Sequence, residues 1–341
     1  MTSERELPSV AGPLEGHSIR HILVCLDRSP LSEACLSRAV SFSRIFGSSI
    51  TLLHVMQPPQ DGERTTDAFG WEIARREATA YLERLQEEVA KASGKPVQFR
   101  LEQGQPAERI AVLARELGAD LTLLGSRGEG GEAAWNLGST VEHVLGMARG
   151  SVFVVHPASS GGVEGASPKR ILVPLDGSIR SESVLPTVAQ LANAYGAEVV
   201  LSHVVLEPRP NEVLRDPEDL QHARDLAVHL ESCAKRYLEH LRDRLAHQME
   251  SVRAVVLRNA DERQSLLDLS RKERVDLIVL SAHGSSCNPA RLYGSVAEYM
   301  LTHSTTPLLV LQDLPESELQ RIPVHEEAAP PLRASFTAEG V

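Results

Sequence analysis

The segment GSRGEGGEAAWNLGST (125–140) places glycines and hydroxyls where an anion could be held. Gly125, Gly128 and Gly138-Ser139 follow the spacing G-x2-G-x9-G-[ST], after the apolar run DLTLLGS (120–126) and before an amphipathic run over 139–148. Glycine lets the backbone approach a ligand closely and adopt φ > 0. A helix opening at Ser139 leaves its first N–H groups unpaired and partially positive. Ser139 and Thr140 can cap that helix or bond a phosphate oxygen. The chemistry is that of a phosphate cradle made of main chain. A lone GxxG more often builds only a loop. Here the fixed second glycine, the strand-to-helix context and a partial copy later in the chain favour a nucleotide loop.

That copy reads SAHGSSCNPARLYGSV (281–296), with Gly284, Gly294 and Ser295 in register but Ser281 at the first glycine. A left-handed backbone at that position would be strained in a serine. The loops also differ in charge. The first sets Glu129 and Glu132 against Arg127, and carboxylates beside a triphosphate are unfavourable unless they point away or share a metal. The second has no acid and offers Arg291 and His283, which suit phosphate. Neither loop contains Lys, so neither is a Walker P-loop. No general base, nucleophile or activating Lys is identifiable beside them, which favours binding over rapid chemistry and leaves slow hydrolysis open.

The elements that must position these loops are themselves repeated. ILVCLD (22–27) and ILVPLD (171–176) each end in Asp-x-Ser (Asp27/Ser29, Asp176/Ser178). Each is followed by a helical run closed by Gly47 or Gly196, then an apolar strand with His-Val (His54-Val55, His203-Val204). The offset is 149 residues at both the Asp and the His-Val, and 156 at the glycine loops, so seven residues are gained between the second and fourth strands, near the helical run 215–250. A repeat of domain size means one domain written twice. Each Asp either caps the following turn through its Ser or touches a ligand.

The chain of 341 residues reads as an N-terminal leader (1–19), a first unit (20–157), a linker (158–168), a second unit (169–313) and a polar C-terminal tail (314–341). Strands are expected at 21–27, 49–56, 97–104, 120–126 and 151–157, and again at 170–176, 197–206, 252–258, 275–281 and 307–312, with helices between them. Continuous apolar strands alternating with helices imply a parallel sheet covered on both faces. The fold class is therefore α/β: two repeats of a five-stranded parallel sheet in a Rossmann-like open sandwich.

Both units resemble the universal stress protein family, here as a tandem pair. The strand ending in Asp-x-Ser, the strand with His-Val and the G-x2-G-x9-G-[ST] loop carry the resemblance, over roughly 20–157 and 169–313. It implies an adenine nucleotide such as ATP, with or without Mg2+. The Asp and Val would hold the adenosine end and the loop the phosphates. Carried over by position, this implies Asp27, Val55, Gly125, Gly128, Gly138, Ser139 and Thr140, and then Asp176, Val204, Gly284, Gly294 and Ser295. It also implies a stress-response protein acting by binding and conformational signalling. A nucleotide-free interaction scaffold and a slow ATPase or phosphotransfer enzyme are the competing readings. Family members of one domain resemble dimers joined through their last strands. Pairing SVFVVH (151–156) with PLLVLQ (307–312) inside this chain would hide two edges at once, with a further homodimer of chains left open.

Composition bounds the partners. A net charge of −11 argues against a broad nucleic-acid surface, and 4% aromatic content against base-stacking platforms. No apolar run approaches the roughly 18 residues of a membrane span, and four cysteines without CxxC suit a reducing compartment, with the cytoplasm as the default. His222, His229, Cys233, His240 and His247 align along one helix, but only His229 and Cys233 have chelating spacing. A helix edge or partner surface accounts for the stripe better than a metal. Cys287 reads as a free surface thiol.

Overall fold

The computed structural model describes residues 17–57, 68–127, 137–156, 167–207, 217–288 and 290–319. The first half contains β1 (His21–Leu26), α1 (Pro30–Phe46), β2 (Ser49–Met56), α2 (Ala68–Ser93), β3 (Val97–Gln103), α3 (Pro106–Glu116), β4 (Leu121–Gly125), α4 (Ser139–Met147) and β5 (Ser151–Val155). The second contains β6 (Arg170–Pro174), α5 (Ile179–Glu182), α6 (Leu185–Tyr195), β7 (Glu198–Leu206), α7 (Pro217–Ala246) and β8 (Val252–Asn259). It continues with α8 (Glu262–Lys272), β9 (Leu277–Ser281), α9 (Ser295–His303), β10 (Leu308–Leu311) and α10 (Glu316–Leu319).

Local chemistry sets these boundaries. Ser29 caps α1 by accepting the Ser32 N–H, Pro30 supplies a first-turn residue with no N–H to satisfy, and Gly47 ends the helix at φ 78°. In the second half the matching segment is divided into α5 and α6. Pro186 removes a donor and crowds the carbonyl four residues back, so one continuous helix cannot form. Helix α7 has 30 residues against 26 in α2, which accounts for four of the seven extra residues.

The ten strands among the described residues form one sheet in the order β3-β2-β1-β4-β5-β10-β9-β6-β7-β8. Within each half the pairs are parallel. At the junction β5 and β10 are antiparallel, with Val152, Phe153 and Val154 opposite Val310, Leu309 and Leu308. All residues of both strands are buried, so two apolar edges that would otherwise be exposed cover each other. Cores on the two faces of the sheet each draw residues from both halves. Phe42 of α1 meets Phe153 of β5 edge-on at 5.2 Å in one of them.

Ile19 and Leu314, assigned by sequence to the leader and the tail, are buried against these cores. Most of the expected leader, linker and tail lies outside the described residues. Among the described residues no helix is long and apolar enough to cross a membrane.

Candidate functional site

Each half has a topological switch point where the strand order reverses, between β1 and β4 and between β6 and β9. Open α/β sheets bind ligands outside the carboxyl ends of the strands at such points. Asp27 and Asp176 follow β1 and β6 there. In both copies the Ser two residues on donates its N–H to the Asp Oδ1 at 3.0 Å. The intervening residue is left-handed in each, Arg28 at φ 69° and Gly177 at φ 83°. Glycine carries that conformation freely, whereas Arg28 bears about 1–2 kcal/mol. The turn therefore uses Oδ1 of each Asp.

The His of each His-Val supports the same corner. His54 Nδ1 donates to the Leu26 carbonyl and His203 Nδ1 to the Leu175 carbonyl, both at 2.8 Å. The carbonyls are those of the residues just before Asp27 and Asp176, so each histidine fixes the chain that presents the acid.

In the second half the predicted residues come together. A cavity of about 120 Å³ is lined by Asp176, Val204, Gly284, Gly294 and Ser295, among others. Asp176 Oδ1 also accepts the Ser178 hydroxyl at 2.6 Å, and Oδ2 accepts the Ser285 N–H at 2.5 Å. Burial raises the Asp176 pKa, but the bonds from Ser178, Ser285 and Ser181 outweigh it and bring the carboxyl down to about 2. Gly294 is the N-cap of α9 and has no side chain to occupy the helix's free N–H groups. Its own N–H closes the loop onto the Ala282 carbonyl at 2.7 Å.

The sequence did not single out three other residues of this cavity: Ser181, Ser202 and Glu262. Burial, and then Asp176, push the Glu262 carboxyl up. The Ser202 hydroxyl is fully buried without a hydrogen-bond partner.

The basic side chains of the second loop are engaged with protein groups, although His283 is among the residues that line the cavity. The His283 ring is fully buried, with Nδ1 2.9 Å from Asp313 Oδ1 and Nε2 2.8 Å from the Arg291 carbonyl oxygen. Both partners are acceptors, so both bonds form together only when the ring carries two protons. Arg180 holds Asp313 Oδ2 at 2.7 Å. Burial raises the Asp313 carboxyl, but the bonds from His283 and Arg180 outweigh it and hold it low. The Arg291 guanidinium is exposed beside Glu298 at 3.5 Å and does not line the cavity. Cys287 does line it, and burial pushes its thiol up, so it stays protonated.

In the first half Gly125 ends β4, and Gly138 caps α4 with its N–H on the Ser126 carbonyl at 2.8 Å. Val55 lies half-buried in β2. Arg127 sits beside the buried His156 and, after burial itself, lowers that ring's pKa to about 4. Gly128, Glu129 and Glu132 lie outside the described residues. Ser139 and Thr140 line a larger cleft of about 1100 Å³ that runs beside α3 and α4 to the amino ends of β4 and β5. That cleft touches neither Asp27, Val55 nor Gly125, so its size does not make it the predicted site.

The left-handed backbone anticipated at the first glycine does not occur. Neither Gly125 nor Ser281 has positive φ. Gly125 answers to crowding instead, since a β-carbon there would lie 3.2 Å from the Leu31 side chain. Ser281 fits without strain, and its hydroxyl bonds the His283 carbonyl. On the aligned histidine helix, His229 Nε2 and Cys233 Sγ lie 3.7 Å apart. Among the described residues no three His, Cys, Asp or Glu side chains cluster as metal ligands.

Comparison with known proteins agrees with this architecture. The sequence model of the universal stress protein family matches residues 18–156 and again 168–312. A universal stress protein of Mycolicibacterium smegmatis is 25% identical over 300 residues, covering 85% of this chain and 96% of its own. A solved universal stress protein from Archaeoglobus fulgidus superposes with a TM-score of 0.57 at 18% identity, covering 86% of this chain and 98% of its own. A Pseudomonas aeruginosa structure assigned to the same family gives 0.62 at 17% identity, covering 90% and 97%. The chain thus belongs to the universal stress protein family, with two copies of the family's α/β unit in one polypeptide.

Proposed function

We propose that this chain binds ATP or a related adenine nucleotide in the second-half cavity and acts in the stress response through the conformational change that binding brings. The supporting observation is one constellation: a cavity at the β6/β9 switch point joins Asp176 and Val204 to the uncapped N-terminus of α9 at Gly294 and Ser295. Main-chain N–H groups at a helix start suit phosphate oxygens, while Val204, Leu266 and Leu280 give an apolar wall for a base. Mg2+ would accompany the phosphates of the nucleotide.

At about 120 Å³ the cavity is below the roughly 300–1,000 Å³ of ligand pockets. Binding therefore requires the 284–288 loop to move outward. Asp176 must then exchange its bond to the Ser285 N–H for one to the ligand or to water. That coupling of occupancy to loop position is the signal.

Denaturing the purified protein and chromatographing the supernatant for adenine nucleotide tests the proposal, together with thermal shift on adding ATP with and without Mg2+. Released nucleotide, or a shift that Gly294→Val removes, supports it. Absence of both overturns it in favour of a nucleotide-free scaffold, the reading favoured by Asp176 completing the loop on its own. Gly138→Val gives the matching test of the first half, where Asp27, Val55, Gly125, Gly138, Ser139 and Thr140 would hold a second nucleotide.

A further inference from the structure

The cleft of about 1100 Å³ follows the groove between α3 and α4 to the amino ends of β4 and β5. The two copies differ here. In the second half Tyr299 of α9 fills the matching groove. Its hydroxyl bonds Gln264 of α8 at 3.3 Å, its ring stacks on His303 at 4.1 Å, and the Arg263 guanidinium lies over the ring at 5.2 Å. The residues 156 positions earlier are, in the same order, His143, Glu108, Met147 and Ala107. His143 turns its ring back to the Ser139 carbonyl of its own helix. Ala107, Ala111 and Ala114 share one face of α3, and all three line the cleft. A groove that side chains fill in one copy is open in the other.

The chain's C-terminal segment leads into this cleft. Leu314 and Leu319 line it and are buried, and Leu319 is the last described residue. The Gln312 N–H bonds Ser151 Oγ at 3.1 Å, so the segment enters at the amino end of β5, where α3 and α4 finish. Helix α3 has 11 residues, so the groove along it is about 16 Å long. An extended chain at about 3.3 Å per residue covers that length in about five residues. Positions 320–341 lie outside the described residues and open QRIPVHEE, with Ile322 and Val324 apolar and Glu326 and Glu327 acidic. Against Arg321 these acids make 320–327 net negative. The cleft sets Arg20, Arg115 and Arg149 against Glu108 and Asp120, a net positive wall.

We propose that this cleft is the docking site of the chain's own C-terminal segment, with 320–327 lying along the α3/α4 groove. Ile322 and Val324 pack on the alanine face of α3 and on Met147, in place of the side chains that fill the second-half groove. The docked segment covers Ser139 and Thr140 at the start of α4, which the nucleotide reading gives to the first-half phosphates. The test reads the segment alone and holds whether or not nucleotide binds.

Trypsin cuts after Arg321 and a glutamyl endopeptidase after Glu327. In the full chain we expect both cuts to be about tenfold slower, or more, than in a free peptide of sequence 318–341, because cleavage follows the population of the open form. Cuts after Arg333 and Glu339, beyond the groove, serve as internal references. Ala111→Trp, which fills the groove, should release both cuts while the protein melts near the wild-type temperature. Val324→Asp, made outside the folded units, should release them too and decides the matter if the tryptophan variant misfolds. Cuts as fast as in the free peptide, or protection that Val324→Asp leaves intact, would overturn the docking. So would protection lost on dilution, which places the segment on a second copy. Fast cuts in the C-terminal segment with protection after Arg5 that Ala111→Trp releases would give the cleft to the N-terminal leader instead.

Discussion

The Asp176 carboxylate occupies the space that a side chain at Gly284 would take. A β-carbon built on Gly284 overlaps Asp176 Oδ2, which also accepts the neighbouring Ser285 N–H at 2.5 Å. The glycine is needed for this approach and not for an unusual φ, since Gly284 is absent from the positive-φ residues.

Gly284→Ala should therefore push the carboxylate off the loop. The lost charge-assisted bond is worth about 1.5–3 kcal/mol. We expect a lower melting temperature and loss of any nucleotide-induced thermal shift, read by differential scanning fluorimetry. An unchanged melt would show that Asp176 swings aside without cost.

Acid should destabilise the fold in two steps. His156 is buried beside Arg127, and its pKa falls from 6.5 to about 4. Its folded-state pKa lies below the unfolded value, so the unfolded chain binds the proton first and stability falls as pH drops from about 6.5 to 4. The loss is about 3 kcal/mol from this group. His156→Gln, which copies the second-half residue Gln312, should flatten that limb of a denaturant-midpoint profile. Asp176 acts lower: its carboxylate stabilises the fold above pH 3.8, and the contribution is lost as pH falls through about 2.

Phe153→Ala should strike the seam between the halves. Phe153 is fully buried, pairs with Leu309 across the junction and meets Phe42 edge-on. Large-to-small changes at such a site cost about 3–5 kcal/mol. Urea unfolding should show the loss in both halves together if the continuous sheet unfolds as one unit.

Asp313→Ala should free the second glycine loop. It strands a buried imidazole and removes the Arg180 ion pair, and breaking a buried pair costs about 3–5 kcal/mol. Faster proteolysis within 284–291, relative to the wild type, would report the released loop. Arg180→Leu, the residue at the matching position 31, should give a smaller effect because His283 keeps its acceptor.

The strands were legible because both faces of a parallel sheet are buried and each strand reads as an unbroken apolar run. The glycine loops and the repeated Asp-x-Ser were legible from spacing. Other features depended on residues far apart in sequence. The Asp176–Gly284 contact spans a separation no local pattern encodes. Arg291 shows the reverse error. Its type suits phosphate, but α9 places Glu298 beside it, and its carbonyl rather than its guanidinium turns inward to His283. The split between α5 and α6 was written in Pro186, yet the strength of the repeat obscured it.

The antiparallel junction of β5 with β10 has a geometric consequence. Every strand of one half runs opposite to every strand of the other, so the carboxyl ends of β1 and β4 lie on one rim of the sheet and those of β6 and β9 on the far rim. The two switch points face away from each other, and no small ligand can bridge them. A surface that covers one switch point therefore leaves the other uncovered, so the two rims are separate faces of the molecule.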